Sequence, residues 1–152
     1  MKVEYINPFI TATFDILKNV GSFNPQKGKL TLKNKPVPSY GVSVLVGVIG
    51  EVKGQVMYSM SEDTAMKIAS AMMMGMPVTE FDEMAKSAIS ELSNMITGNA
   101  STSLASQGLE IDISPPTLIT GSNVTVTTSA IQTIVVPVEM EAGIFEINIA
   151  LE

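Results

Sequence analysis

Ser87-Ala88-Ile89-Ser90-Glu91-Leu92-Ser93-Asn94-Met95-Ile96-Thr97-Gly98 lies inside the longest helical pattern of the chain. An α-helix advances about 100° per residue. With Ser87 at zero, Glu91 falls near about 40°, Asn94 near about 340° and Gly98 near about 20°, so the four share one narrow stripe. Phe81, Ala85, Ala88, Ile89, Leu92 and Ile96 gather at roughly 100–200°, on the opposite side. The helix therefore has an apolar back that must be buried and a front of carboxylate and amide. Glu91 and Asn94 are one turn apart, with about 4.5 Å of axial rise between them.

The surrounding chain supplies what the back can pack on. It has 152 residues, 45% of them hydrophobic, enough for one domain, residues 1–152, with a real core. No apolar run reaches the length of about 20 residues that a membrane-crossing helix requires. The start, Met1-Lys-Val-Glu-Tyr-Ile6, lacks the basic-then-apolar order of a signal peptide. Cysteine is absent, so no disulfide framework exists and a reducing cytoplasm is the expected setting. Net charge is −6 and every cation is a lysine, which argues against a nucleic-acid partner. With neither histidine nor cysteine, the commonest general base, transition-metal ligands and thiolate nucleophile are missing. Any chemistry must use Glu, Asp, Lys, Ser, Thr or Asn, or a partner's active site.

Outward from the central helix, residues 5–20 read as a first helix, with Asn7 as N-cap, Pro8 in the first turn and Gly21 as C-cap. Residues 22–28 read as a loop, residues 29–33 as a short half-exposed strand, and residues 34–39, with two prolines, as a break. Residues 42–49 and 52–60 read as a hairpin. Ser61 caps a helix over 62–74, ended by Gly75 and Pro77. Five methionines between Met66 and Met76 invite a binding-face reading, but gap-filling core packing is the simpler one. Thr79 is placed as cap of the central helix, with Asp82 completing a capping box, and Gly108 as its C′ residue. Gly98 costs about 1 kcal/mol relative to alanine inside a helix, and on the polar stripe it marks close approach by something outside the core.

Beyond that helix, residues 109–113 alternate as a strand, Ser114-Pro115-Pro116-Thr117 is a rigid turn, and residues 118–120, 124–128 and 130–140 read as strands. Pro137 suggests an edge or a bulge. In 144–151, Ile144, Glu146, Asn148 and Ala150 share one face, and Phe145, Ile147, Ile149 and Leu151 share the other. Segregated strands and helices with tight turns give an α+β fold, with a largely antiparallel sheet and helices packed on one face.

A stripe of Ser, Glu, Asn and Gly either meets water or meets something specific. Solvated faces usually mix Lys and Glu, whereas Lys86 is the one cation of this helix. An acid and an amide without a base suit positioning better than self-contained hydrolysis, since an amide orients a water through donor and acceptor together. Glu110 and Asp112 share a strand face and read as solvent-exposed. Ser59, Ser61, Glu62 and Asp63 read as cap chemistry. Gly47, Gly50 and Gly54 lack the Lys-Ser/Thr of a phosphate loop and read as turns and a bulge.

Ser87-x3-Glu91-x2-Asn94, with Pro115 or Pro116 about twenty residues on, resembles the signature of the CheC/CheX/FliY family of chemotaxis phosphatases. The flanking Met-Gly-Met, Ser-Ala-Ile-x-Glu-Leu-x-Asn-Met and Asp-Ile-x-Pro-Pro-Thr stretches are similar to its CheX-type members. The resemblance implies a CheC/CheX-like fold and a phosphatase for a phosphorylated CheY-like response regulator. It implies that Glu91 pairs with a lysine of the regulator and that Asn94 orients the attacking water. Ser87, Gly98 and Pro116 would meet the partner. No cofactor or metal would be bound by this chain, and Mg²⁺ would come with the regulator. Some relatives carry the motif twice, but here the corresponding frame in helix one is Ala12-x3-Ile16-x2-Asn19, so one active helix is expected. Homodimers through strand pairing are expected likewise, with the regular last strand offering an edge. A non-catalytic flagellar-switch or adaptor-type module of the same fold is the alternative reading; a small-molecule or metal-binding domain is argued against by the missing His and Cys.

Overall fold

The computed structural model describes residues 3–33, 37–127 and 132–152, with only the backbone of Val37. Residues 34–36 of the expected break 34–39, the end of the strand 124–128 and the start of the strand 130–140 lie outside the described residues, while Val37–Pro38 of that break are a short strand. In chain order the elements are α1 (Val3–Gly21), β1 (Gln26–Lys27), β2 (Thr31–Lys33), β3 (Val37–Pro38), β4 (Gly41–Gly50), β5 (Gly54–Met60), α2 (Glu62–Met72), α3 (Glu83–Ser106), β6 (Ile111–Ile113), β7 (Thr117–Gly121), β8 (Thr125–Val126), β9 (Thr133–Met140) and β10 (Gly143–Leu151).

Every strand pair among the described residues is antiparallel. β9, β10, β5 and β4 lie side by side; β1 and β2 share the far side of β9, and β6 and β7 share the far side of β4. β3 and β8 form a separate two-stranded ribbon. Alternation sets the layers. Val42, Val44, Val46, Val56, Tyr58, Val136, Val138, Phe145, Ile147 and Ile149 form one core with Phe9, Leu17, Ile68, Ile89, Leu92 and Ile96 of the helices. The fold is thus α+β, with helices on one face of an antiparallel sheet.

Several expectations need correction. α1 starts at Val3, so Asn7 is not its cap, and Pro8 lies buried inside the helix. Lacking an N–H, Pro8 removes one main-chain bond from the second turn, and its ring is buried instead. Gly21 is still helical; the left-handed residue that ends α1 is Ser22, at φ 54°. The loop 22–28 contains β1, whose partner β9 is too distant in sequence to be foreseen. The methionines divide. Met72 and Met73 pack against the core, while Met74 and Met76 face solvent at 98% and 60% exposure, beyond the end of α2.

β10 is an interior strand, between β9 and β5, and offers no edge; the free edges belong to the short strands on either flank. β9 also has neighbours on both sides. Its outer partner changes from β1 to β2 around Pro137, whose carbonyl accepts from the Gly28 amide at 2.8 Å, so the missing N–H falls at that changeover.

Candidate functional site

α3 is built so that its front stays free. Asp82 is its N-cap and accepts from the Ala85 amide at 3.0 Å; Thr79 lies outside the helix, and the expected cap there is corrected. Phe81 likewise precedes the helix and only flanks the core. Gly108, at φ 86°, takes the expected position after the C-cap Gln107. Ala85, Ile89, Leu92, Ile96, Ala100 and Leu104 are buried, which fixes the back. Ser87, Glu91 and Asn94 are exposed and Gly98 is half-buried, so the stripe faces away from the sheet.

Among the described residues, neither Glu91 nor Asn94 has a side-chain hydrogen bond or ion pair within the chain. Lys86, on another side of the helix, stands 3.4 Å from Glu83 and leaves Glu91 without a cation. Nothing lies within 4 Å of the place a Gly98 Cβ would take, so this glycine serves no packing inside the chain. Pro116 is half-buried in the turn between β6 and β7. That turn is held on β4: the Gly47 amide donates to Ser114 Oγ at 2.7 Å and the Ser114 amide to the Gly47 carbonyl at 2.9 Å. β6 and β7 both touch α3, but no hydrogen bond joins Pro116 to the stripe among the described residues. Glu110 and Asp112 are exposed, as expected. Ala12 and Ile16, the frame in α1, are buried, so that helix presents no second stripe.

A set of residues outside the motif holds α3 in rotation. Ser93 and Thr97, one turn apart and fully buried, donate to the carbonyls of Ile89 (3.0 Å) and Ser93 (2.8 Å). Thr97 Oγ1 also shares a 2.7 Å hydrogen bond with the Tyr58 hydroxyl of β5, whose ring lies 5.7 Å from that of Phe145. Burial pushes the Tyr58 phenol far above its ordinary value, with the Thr97 bond opposing, so it stays a neutral hydroxyl. This bond ties the helix to the sheet between Asn94 and Gly98. Its trace in the sequence is the i, i+4 spacing of Ser93 and Thr97, whose hydroxyls can bond back to the preceding turn.

Among the described residues, no cluster of three or more acidic side chains is arranged to hold a metal ion. Among the described residues, no helix is long and apolar enough to cross a membrane. What the site offers is an acid and an amide, side by side on a fixed helix, with neither used inside the chain.

A helix-on-sheet fold with such a stripe defines a class, and comparison with known proteins identifies it. The family described as chemotaxis phosphatase CheX matches residues 42–139. The CheY-P phosphatase CheX of Thermotoga maritima is 37% identical over 122 residues, covering 80% of this chain and 78% of that one. A CheC-like superfamily protein from Shewanella sp. PV-4 superposes with a TM-score of 0.91 at 30% identity, over 100% of this chain and 99% of that one. CheX in the CheX–CheY–BeF3–Mg²⁺ complex of Borrelia burgdorferi superposes at 0.85 with 32% identity, over 99% of both chains. The chain belongs to the chemotaxis phosphatase CheX family.

Proposed function

We infer that the protein is a phosphatase for the aspartyl phosphate of a CheY-like response regulator, and that α3 supplies half of a shared active site. The observation that carries the reading is the unpartnered Glu91–Asn94 pair on the exposed face of a helix whose roll is fixed from behind. The relative named CheY-P phosphatase and the relative solved in complex with CheY support it.

The roles follow from the chemistry of the two side chains. Glu91 accepts a hydrogen bond from a lysine of the regulator, a docking contact that needs a carboxylate without a cation of its own. Asn94 Oδ1 accepts a hydrogen bond from a water and aligns it in line with the phosphorus, and the water's protons leave with the phosphate. The water oxygen then bonds to phosphorus, the bond from phosphorus to the aspartyl oxygen breaks, and inorganic phosphate leaves. Mg²⁺ comes with the regulator and supplies charge neutralisation at the phosphoryl oxygens. Ser87 and Gly98 line the contact; Gly98 leaves room for the incoming chain. Pro116 shapes the loop beside it. The chain acts as one phosphatase domain in the cytoplasm. It forms homodimers by pairing the short strands at a sheet edge rather than through β10. A non-catalytic adaptor would need neither Glu91 nor Asn94, and both are present and unused within the chain.

The test mixes the protein with phosphorylated regulator and Mg²⁺ and follows phosphate release. Acceleration over the regulator's own hydrolysis is expected; none would leave the adaptor reading.

A further inference from the structure

β10 carries a second glutamate–asparagine pair, Glu146 and Asn148, that the phosphatase reading does not use. Both point to the sheet face opposite the helices and are only 6% and 3% exposed. Segment 37–41 crosses this face: Ser39 Oγ bonds Ser43 Oγ at 2.8 Å and the Tyr40 amide donates to Ser59 Oγ at 3.2 Å. Burial raises the Glu146 carboxyl above the usual carboxylate range, against the pull of the Tyr40 hydroxyl, the Asn148 amide and the charge of Lys33. These contacts leave two atoms out. Glu146 Oε1 and Asn148 Oδ1 have no hydrogen-bond partner among the described residues. Asn148 cannot turn its amide over without loss, because Nδ2 donates to the Met57 carbonyl at 3.3 Å.

A cleft of about 420 Å³ opens at Glu146. Met60, Pro137 and Ile144 give it apolar walls, and Ser61 and Thr64 at the start of α2 give it hydroxyls. Those hydroxyls are engaged with each other at 3.0 Å, and Ser61 Oγ also caps α2. Glu146 Oε1 itself has almost no contact with water, and Tyr40 and Ile144, which also line the cleft, are 48% and 53% exposed. The cleft thus combines a buried carboxylate oxygen lacking a donor with walls suited to a short hydrocarbon.

We propose that this cleft binds an ammonium group on an apolar stem, with Glu146 Oε1 accepting its hydrogen bond and Met60, Pro137 and Ile144 enclosing the stem. Two sources share this chemistry, a lysine side chain of another protein chain and a free alkylamine. No residue of α3 lines the cleft, so it can fill while Glu91 and Asn94 are engaged.

The test titrates isotopically labelled protein with n-butylammonium chloride at constant ionic strength, with n-butanol as the uncharged control and Nα-acetyl-lysine methylamide as a protein-like lysine. Saturable shifts of the Tyr40, Thr64, Gly143 and Ile144 amides are expected with both amines and not with butanol. Glu146→Gln should weaken them at least tenfold. Tighter binding of the lysine derivative identifies a protein lysine as the natural source, and tighter binding of butylammonium a free amine. Should the Gln variant fold poorly, Ile144→Ser at the exposed rim serves instead, by losing the preference for butyl- over methylammonium. An equal response to butanol, unchanged binding in Glu146→Gln, an unchanged preference in Ile144→Ser, or no saturable shift overturns the proposal.

Discussion

The chain holds two glutamate–asparagine pairs in opposite surroundings. Glu91 and Asn94 are one helical turn apart and exposed; Glu146 and Asn148 are two strand positions apart and buried. On α3 the backbone bonds are internal to the helix, so the side chains stay in water at no cost and remain available. On β10 the same residue types have been taken out of water, and each keeps an acceptor without a donor. Leaving such an atom unanswered costs about 1–3 kcal/mol. The exposed pair is therefore ready for a partner's atoms, while the buried pair needs a donor to be supplied. Behind α3 the contrast is sharper still, because there each buried hydroxyl has a partner: Ser93 bonds the Ile89 carbonyl, and Thr97 bonds both the Ser93 carbonyl and the Tyr58 hydroxyl.

That contrast can be broken at several points. The largest effect is expected from Gly98→Trp. Open space surrounds the missing Cβ, so the thermal midpoint should hold, while the indole occupies the regulator's approach. Phosphatase activity should fall by about 10²-fold or more; retained activity would mean that the regulator docks elsewhere. Glu91→Ala comes next, with apparent affinity for the phosphorylated regulator down by about tenfold, or about 1.4 kcal/mol, and little change at saturation. A loss confined to the saturated rate would give Glu91 a chemical role instead.

Tyr58→Phe tests the fixed back of the helix. Removing one buried hydroxyl partner should cost about 1 kcal/mol in urea unfolding and lower the saturated rate more than the affinity, because the helix gains freedom to roll. The smallest effect is a pH dependence at Glu146. Its folded carboxyl titrates above the unfolded value of about 4.3, so the native state holds its proton longer than the unfolded chain. Its contribution is therefore complete below that unfolded value and is lost as pH rises through the raised folded one. Glu146→Gln should gain on the wild type across that window and run parallel above it, as read from urea midpoints against pH.

The stripe on α3 was legible because a helix repeats over a few residues and its apolar back declares the face. The sheet and the layer of helices followed from the hairpin of residues 42–60, the alternation of 144–151 and the segregation of strands from helices. What escaped depends on distant segments. β1 is a strand only because β9 lies beside it, and the interior place of β10 comes from partners on both sides. The polar face of β10 is buried because segment 37–41 crosses it. Met74 and Met76 resemble core residues by type, but the chain leaves the helix before them. The cap fell to Asp82 rather than Thr79 because only a side chain next to the first turn reaches its amides. At the site, the exposed acid and amide could be placed on one face from spacing alone, but their use depends on atoms of another molecule.

The central claim, that Asn94 positions the attacking water inside the regulator's site, is tested most directly by single-turnover phosphate release at saturating protein with Mg²⁺-loaded, phosphorylated regulator, wild type against Asn94→Ala. A fall of about 10²-fold in the saturated rate is expected, with affinity and thermal midpoint little changed. A saturated rate equal to that of the wild type would contradict the account.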